Sequence, residues 1–336
     1  MRAAVFTQTG PASVLSVTDR PAPPVGPGEV RVRMVLSAVN PTDTGTRAGR
    51  GVPDGVQPPR IPNQDGAGLV DAVGAGVGDL TPGDRVWVWD AAYGRADGTA
   101  QELVTLPRRQ VVRMNDDVPF ETGAALGIPA LTAHRCLTLA PGGPDRLAPG
   151  ALAGRTVLVT GGAGAVGNAA VQLAKWAGAT VLTTVSGPDK AALATAAGAD
   201  LVINYREEDV AARVKDSGAA PDLIVEVAND NLRQDFDIIA PHGTIALYAP
   251  GEIKAPAFKA MLKNVGVHFV LTYTTPAPAK DAAVAAVAEA VNAGAFRSGE
   301  EAGLPIVRYP LDRIAEAHEA VEQHAVGKVV IEVTQP

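Results

Sequence analysis

Thr156-Val157-Leu158-Val159-Thr160 is an uncharged, β-branched run, and Gly162-Ala163-Gly164-Ala165-Val166-Gly167 follows it within two residues. A G-x-G-x-x-G pattern placed between a buried strand and a helix leaves little choice of local fold. Gly162 allows a tight turn, Gly164 lets a pyrophosphate approach the backbone, and Gly167 lets helix and strand pack closely. Ala165 and Val166 then open the helix, whose free N–H groups face the phosphates. The bland alternative is a tight turn with no ligand. Asn168-Ala169 after the last glycine, in place of Lys-Ser/Thr, argues against a phosphate loop of the NTPase kind.

Strand and helix signals alternate around this motif. Asn168–Gly178 reads as helix, Thr180–Val185 as strand and Lys190–Ala197 as helix, and Leu201–Asn204, Leu223–Val227 and Thr244–Tyr248 are short apolar runs. That alternation predicts an α/β doubly wound parallel sheet. Residues 1 to about 120 instead show short strands with Gly/Pro punctuation: Glu29–Val35 alternates charged and apolar, followed by Gly68–Val73, Arg85–Trp89 and Gln101–Leu106. Gly123–Leu139 reads as helical, with Pro129 in the first turn of a second helix. Helices over Lys280–Ala293 and Leu311–Gln323 and a closing strand Lys328–Val333 complete the pattern. With 336 residues, two domains are expected.

The second strand ends in Thr183-Thr184-Val185-Ser186-Gly187. An NAD binder places a carboxylate there for the ribose 2′-hydroxyl. Here Ser186 and Lys190 offer a hydroxyl and a cation instead, which predicts NADPH over NADH; a solvated helix charge is the alternative for Lys190.

Other chemistries are disfavoured. A formal charge of −7 argues against nucleic acid or an acidic membrane surface as partner. Residues 156–174 are uncharged over the length of a membrane span, yet their four glycines fit strand, turn and helix better. The opening MRAAVFTQTG lacks a signal-peptide stretch, so a cytoplasmic protein is expected. Cys136 is the lone cysteine, and His134, His242, His268, His318 and His324 lack ligand spacing, so no metal is expected. No G-x-S-x-G is present for a nucleophile elbow.

Several further segments, taken in order, resemble the zinc-free quinone oxidoreductases, the zeta-crystallin-like branch of the medium-chain dehydrogenase/reductase superfamily. They are Ala38-Val39-Asn40-Pro41-Thr42-Asp43, Pro82-Gly83-Asp84-Arg85-Val86, Gly127-Ile128-Pro129-Ala130-Leu131-Thr132-Ala133, the glycine loop, Val202-Ile203-Asn204-Tyr205-Arg206-Glu207, Ala315-Glu316-Ala317-His318 and Gly327-Lys328-Val329-Val330-Ile331. The resemblance implies a GroES-like β-rich catalytic domain from residues 1–124 and 267–336 around a Rossmann NADPH-binding domain, 125–266, with a cleft between. It implies NADPH as hydride donor, a small-molecule quinone or enone as acceptor, and a homodimer. Asn40 falls where the family places a polar side chain beside nicotinamide and substrate, and its amide is expected to stabilise charge developing on oxygen. Thr132 resembles the family threonine near the nicotinamide. Tyr205 corresponds to a residue at the adenine end, Ala249 to a family glycine near the nicotinamide, and Lys328 to a residue bordering the cofactor cleft. Zinc-dependent relatives carry a cysteine near Thr42 and Gly-His-Glu where this chain has Asn63-Gln64-Asp65.

Departures bear on the substrate. Gly45 stands where the branch usually has tyrosine, and the connector Ala140–Arg155 is long. An enoyl-thioester reductase, with Arg47, Arg50 and Arg60 as a basic entrance, is the second enzyme reading. A non-catalytic NADPH-binding protein is the third.

Overall fold

The computed structural model describes residues 1–50 and 55–336, and the chain divides into two compact units, Met1–Ile128 with Ile306–Pro336, and Pro129–Pro305. The first unit begins with β1 (Arg2–Val5) and β2 (Ser16–Asp19), an antiparallel pair. Then come β3 (Glu29–Ala38), α1 (Pro41–Arg47), β4 (Asp65–Val73), β5 (Arg85–Val88), β6 (Leu103–Pro107), β7 (Val111–Arg113) and α2 (Phe120–Ala124). Helix α3 (Gly127–Leu137) carries the boundary in its first turn.

Along β3 the alternation seen in the sequence is real: Val30, Val32 and Met34 are fully buried, while Glu29, Arg31 and Arg33 are not. From Val35 onward every residue of β3 is buried. The strand lies inside its sheet, which runs β14-β15-β3-β4-β5-β7 with β6 also on β3, so its end is covered by neighbours. Strands β14 (Ile306–Pro310) and β15 (Lys328–Glu332) come from the far end of the chain, with α10 (Ile314–Glu322) between them. Strand β15 pairs antiparallel with β3, Val330 opposite Ala38. This brings residues about 300 apart in sequence into one β-rich unit, the GroES-like half of the fold.

The second unit is the doubly wound half. Its strands β8 (Thr156–Thr160), β9 (Thr180–Val185), β10 (Leu201–Asn204), β11 (Leu223–Glu226), β12 (Thr244–Leu247) and β13 (Gly266–Phe269) form a parallel sheet in the order β10-β9-β8-β11-β12-β13. All five residues of β8 are buried, as expected for a central parallel strand covered on both faces. The helices are α4 (Ala165–Trp176), α5 (Pro188–Ala196), α6 (Val210–Asp216), α7 (Leu232–Ile238), α8 (Ala257–Lys263) and α9 (Ala277–Asn292). Leu158, Leu182, Ile203, Ile224, Ile245 and Phe236 lie in one core on this sheet.

Residues 267–305, expected with the first domain, lie with the second unit. Side-chain bonds hold them there: Asn168 Nδ2 of α4 donates to Ala302 O at 2.9 Å, and Gln172 Nε2 to Arg297 O at 3.0 Å. The segment 156–174 folds as strand, glycine turn and helix. Among the described residues no helix is long and apolar enough to cross a membrane.

Candidate functional site

In the second unit the glycine loop links β8 to α4, and each glycine has its own reason. Gly161 takes the positive φ of +69°, so the turn conformation belongs to it rather than to Gly162. A Cβ on Gly162 would stand 2.1 Å from Thr183 Oγ1 on the neighbouring strand, and one on Gly167 would stand 2.2 Å from Gly161 O. Both positions exclude any side chain. A Cβ on Gly164 would meet only Gly161 O, at 3.4 Å. Gly164 therefore leaves its backbone approachable, in extended conformation at the N-cap of the 12-residue helix that Ala165 and Val166 begin. A helix start without side-chain caps presents N–H groups to an anion.

At the end of β9, Lys190 Nζ donates to Ser186 Oγ at 3.1 Å, so the two residues singled out for a 2′-phosphate stand together. Tyr205 follows β10 with half its surface exposed and its N–H bonded to Val185 O, and offers a flat face instead of the half-buried strand position its type favours. Ala249 follows β12, partly buried against the sheet core. Thr132 is buried on α3. Cys136, on the same helix, is buried with its thiol pushed up to about 12, which removes it as a nucleophile.

In the first unit a different group of polar residues meets. Asn40 precedes α1, and the Asp43 carboxylate reaches back to the Asn40 backbone N–H at 2.7 Å, capping the helix. The Asn40 side-chain amide donates to Asp65 Oδ2 at 2.8 Å and to Asp43 Oδ2 at 3.2 Å. Its Oδ1 accepts from Lys328 Nζ at 2.5 Å. Asp65 also accepts from the Ile128 N–H at 3.0 Å and faces Lys328 Nζ at 3.7 Å. All four side chains are buried. Both amide hydrogens of Asn40 are thus occupied by carboxylates. Lys328 stands with Asn40 in this cluster, and Asp43 and Asp65, which the sequence reading did not single out as site residues, complete it.

Burial decides the protonation here. It pushes the Asp65 carboxyl up to about 6, with the Lys328 charge opposing, and the Asp43 carboxyl up to about 7, with the Asp65 charge adding to the rise. It pulls Lys328 down, against the two carboxylates. Burial thus favours the neutral form of each of these three groups, and their mutual charges oppose it between carboxylate and ammonium.

The basic entrance does not exist as read. Arg47 is buried and paired with Glu322, and Arg60 is buried with its guanidinium donating to the Val56, Ala92 and Arg95 carbonyls. Only Arg50 of the three is exposed. Among the described residues no three His, Cys, Asp or Glu side chains gather to hold a metal.

Comparison with known proteins follows this division. An alcohol dehydrogenase GroES-like domain matches residues 26–116, and a family described as zinc-binding dehydrogenase matches residues 165–290. The quinone oxidoreductase of Lama guanicoe is 30% identical over 344 residues, covering 98% of this chain and 97% of that protein. The chain belongs to the quinone oxidoreductases of the medium-chain dehydrogenase/reductase superfamily. It is thus an NAD(P)-dependent oxidoreductase. Among solved structures, an NAD-dependent alcohol dehydrogenase is similar at 28% identity and a TM-score of 0.85, covering 99% of this chain and all of that one. A mycobacterial protein solved with NADPH is 29% identical with a TM-score of 0.80, over 99% of this chain and all of that one.

Proposed function

We propose that the protein is an NADPH-dependent, zinc-free reductase of quinones. The observation that carries the cofactor choice is the Lys190–Ser186 contact at a strand end without a carboxylate. A cation and a hydroxyl held together favour a 2′-phosphate over a free 2′-hydroxyl. Gly164 and the start of α4 would receive the pyrophosphate, Tyr205 the adenine, and Ala249 and Thr132 the nicotinamide end. NADPH, when bound, supplies a hydride from its nicotinamide C4.

Hydride addition to a quinone or enone leaves negative charge on oxygen, and a proton follows from water. Asn40 and Lys328 act as one unit in this reading: Asn40 holds the ammonium by its Oδ1 and keeps the two carboxylates from drawing it away. The zinc-free part rests on what the corresponding side chains already do. Gln64 Oε1 accepts from the Ala92 N–H at 2.9 Å, and both oxygens of Asp65 are held by Ile128 and Asn40.

We also propose a homodimer. Phe258, Met261, Leu262 and Phe269 are each about two-thirds exposed, on α8 and at the end of edge strand β13. A cluster of this kind beside an open sheet edge suits a partner copy.

The test is nicotinamide absorbance against time, NADPH and NADH compared on a quinone panel and an enone panel. Fast NADPH oxidation by quinones supports the whole reading, and a preference for NADH overturns the cofactor choice. Turnover on enones alone moves the assignment to enone reduction. Silence on both, with NADPH bound, leaves a binding protein.

A further inference from the structure

At the carboxyl end of β11, Glu226 is fully buried, and one of its oxygens is heavily used. Oε1 accepts from the Ala228 N–H at 2.6 Å, the Thr160 hydroxyl at 2.9 Å and Asn231 Nδ2 at 3.0 Å. The other oxygen, Oε2, meets no donor, and neither does Oδ2 of Asp235, buried on α7. These two carboxyls lie within hydrogen-bonding reach of each other. As two carboxylates they would be a buried like-charge pair with orphaned oxygens, whereas one proton between them satisfies both.

The pair sits beneath backbone that borders the glycine turn. Val227 N–H bonds to the Thr160 hydroxyl at 2.9 Å, and a Cβ on Gly161 would meet the Val227 side chain at 3.2 Å. Asn229 Nδ2 donates to Pro250 O at 2.9 Å, so residues 227–231 hold the loop after Ala249.

We propose that Asp235 is a positioning residue, which shares one proton with Glu226 and so keeps residues 227–231 and the Ala249–Gly251 loop set for the dinucleotide. This rests on the dinucleotide reading given above. Asp235 donates the shared proton to Glu226 Oε2, which leaves Oε1 free to gather its three donors. When alkali removes that proton to water, two negative charges remain in a buried site, and the loop moves to admit solvent.

The groups facing the pair do not relieve it. Tyr248, at the end of β12, faces Glu226 with a phenol that burial pushes well above its ordinary range. On the helices packed against α7, Arg213 is taken by Glu208 and Lys259 by Asp237, while Lys215 and Asp216 are exposed, as are Arg233 and Asp237 of α7 itself. Lys263 of α8 spends its ammonium on the Asp237 and Ile239 carbonyls, and among the described residues no cation pairs with Glu226 or Asp235. Burial, followed by the Glu226 charge, accordingly pushes Asp235 up to about 9.

The experiment compares the wild-type protein with Asp235→Asn, whose amide donates to Glu226 without titrating. Thermal unfolding of the ligand-free proteins and NADPH dissociation constants are both followed from about pH 7 to about pH 10. Wild type is expected to lose stability relative to the variant as pH rises, and its NADPH affinity to weaken by up to about tenfold per pH unit above the titration while the variant's stays level. Parallel unfolding profiles would overturn the shared proton, whatever NADPH does. Diverging unfolding profiles with parallel NADPH profiles would overturn the positioning role. Diverging unfolding profiles with no NADPH binding at any pH would overturn that role together with the dinucleotide reading, and leave the shared proton standing. Should Asp235→Asn not fold, the infrared band of a protonated carboxylic acid in wild type at about pH 8 decides the first point: its presence supports the proton, and its absence overturns it.

Discussion

Lys328 Nζ donates to Asn40 Oδ1 at 2.5 Å across 288 residues of sequence. This bond makes Asn40 the hinge of a charged cluster rather than a free amide donor. Substituting Asn40 by alanine takes the Oδ1 acceptor from Lys328, leaving it only the longer Asp65 contact, and removes a donor from Asp65 and Asp43 at once. It is expected to cost about 1–3 kcal/mol of stability and to lower turnover more than NADPH affinity. Calorimetry and steady-state kinetics with separate NADPH titration check both, and equal loss of turnover and affinity would contradict the placement on the substrate side.

The glycine loop yields a contrast within one motif. Gly162→Ala and Gly167→Ala force a methyl to about 2.1–2.2 Å from Thr183 Oγ1 and Gly161 O, and both should destabilise by about 1–3 kcal/mol or more. Gly164→Ala should fold normally and weaken dinucleotide binding. Unfolding midpoints beside NADPH fluorescence titrations distinguish the two classes.

Lys190→Ala should weaken NADPH binding by about tenfold, as loss of one charge-assisted contact, and leave NADH binding nearly unchanged. Equal effects on both cofactors would remove the 2′-phosphate role.

His318 is buried and its imidazole pulled down to about 3, chiefly by burial and then by the Arg47 charge; His134 is pulled down to about 4 by burial. Each is neutral in the folded protein and protonated in the unfolded chain between that value and about 6.5. In that window the unfolded state holds the extra proton, so each histidine's contribution is present above about pH 6.5 and is lost as pH falls. Replacing His318 by asparagine should flatten the acid limb of the stability profile by up to ~1.4 kcal/mol per pH unit. Denaturant unfolding at several pH values measures the slope.

Phe269→Asp, on the exposed end of the edge strand, should turn a dimer into a monomer without loss of the fold. Sedimentation velocity reads the change, and a monomeric wild type would dispose of the homodimer.

Five of the six strands of the doubly wound half were legible because each is a short apolar run closed by glycine or a polar turn, as at Thr156–Thr160 and Leu201–Asn204, whereas β13, with a glycine and a histidine among its four residues, was not. Short helices such as Val210–Asp216 and Ala257–Lys263 escaped, since seven residues hold too few turns to show a period. Arg47 was misread as part of an entrance because its partner Glu322 is 275 residues away. Asp235 carried a faint signal: it falls three residues after Leu232 and beside Phe236, on the buried face of α7. A carboxylate on an apolar helix face needs a partner or a proton, and only the fold supplied Glu226.

The return of β15 to pair with β3 also has a consequence for synthesis. Residues 129–305 leave the ribosome before Ile306–Pro336, so the second unit has its whole sheet while the first still lacks two strands. Without Lys328, a site closed around Asp43 and Asp65 would bury two carboxyls with no ammonium beside them. The first unit's sheet and its buried polar cluster are therefore complete only once Ile306–Pro336 has been made.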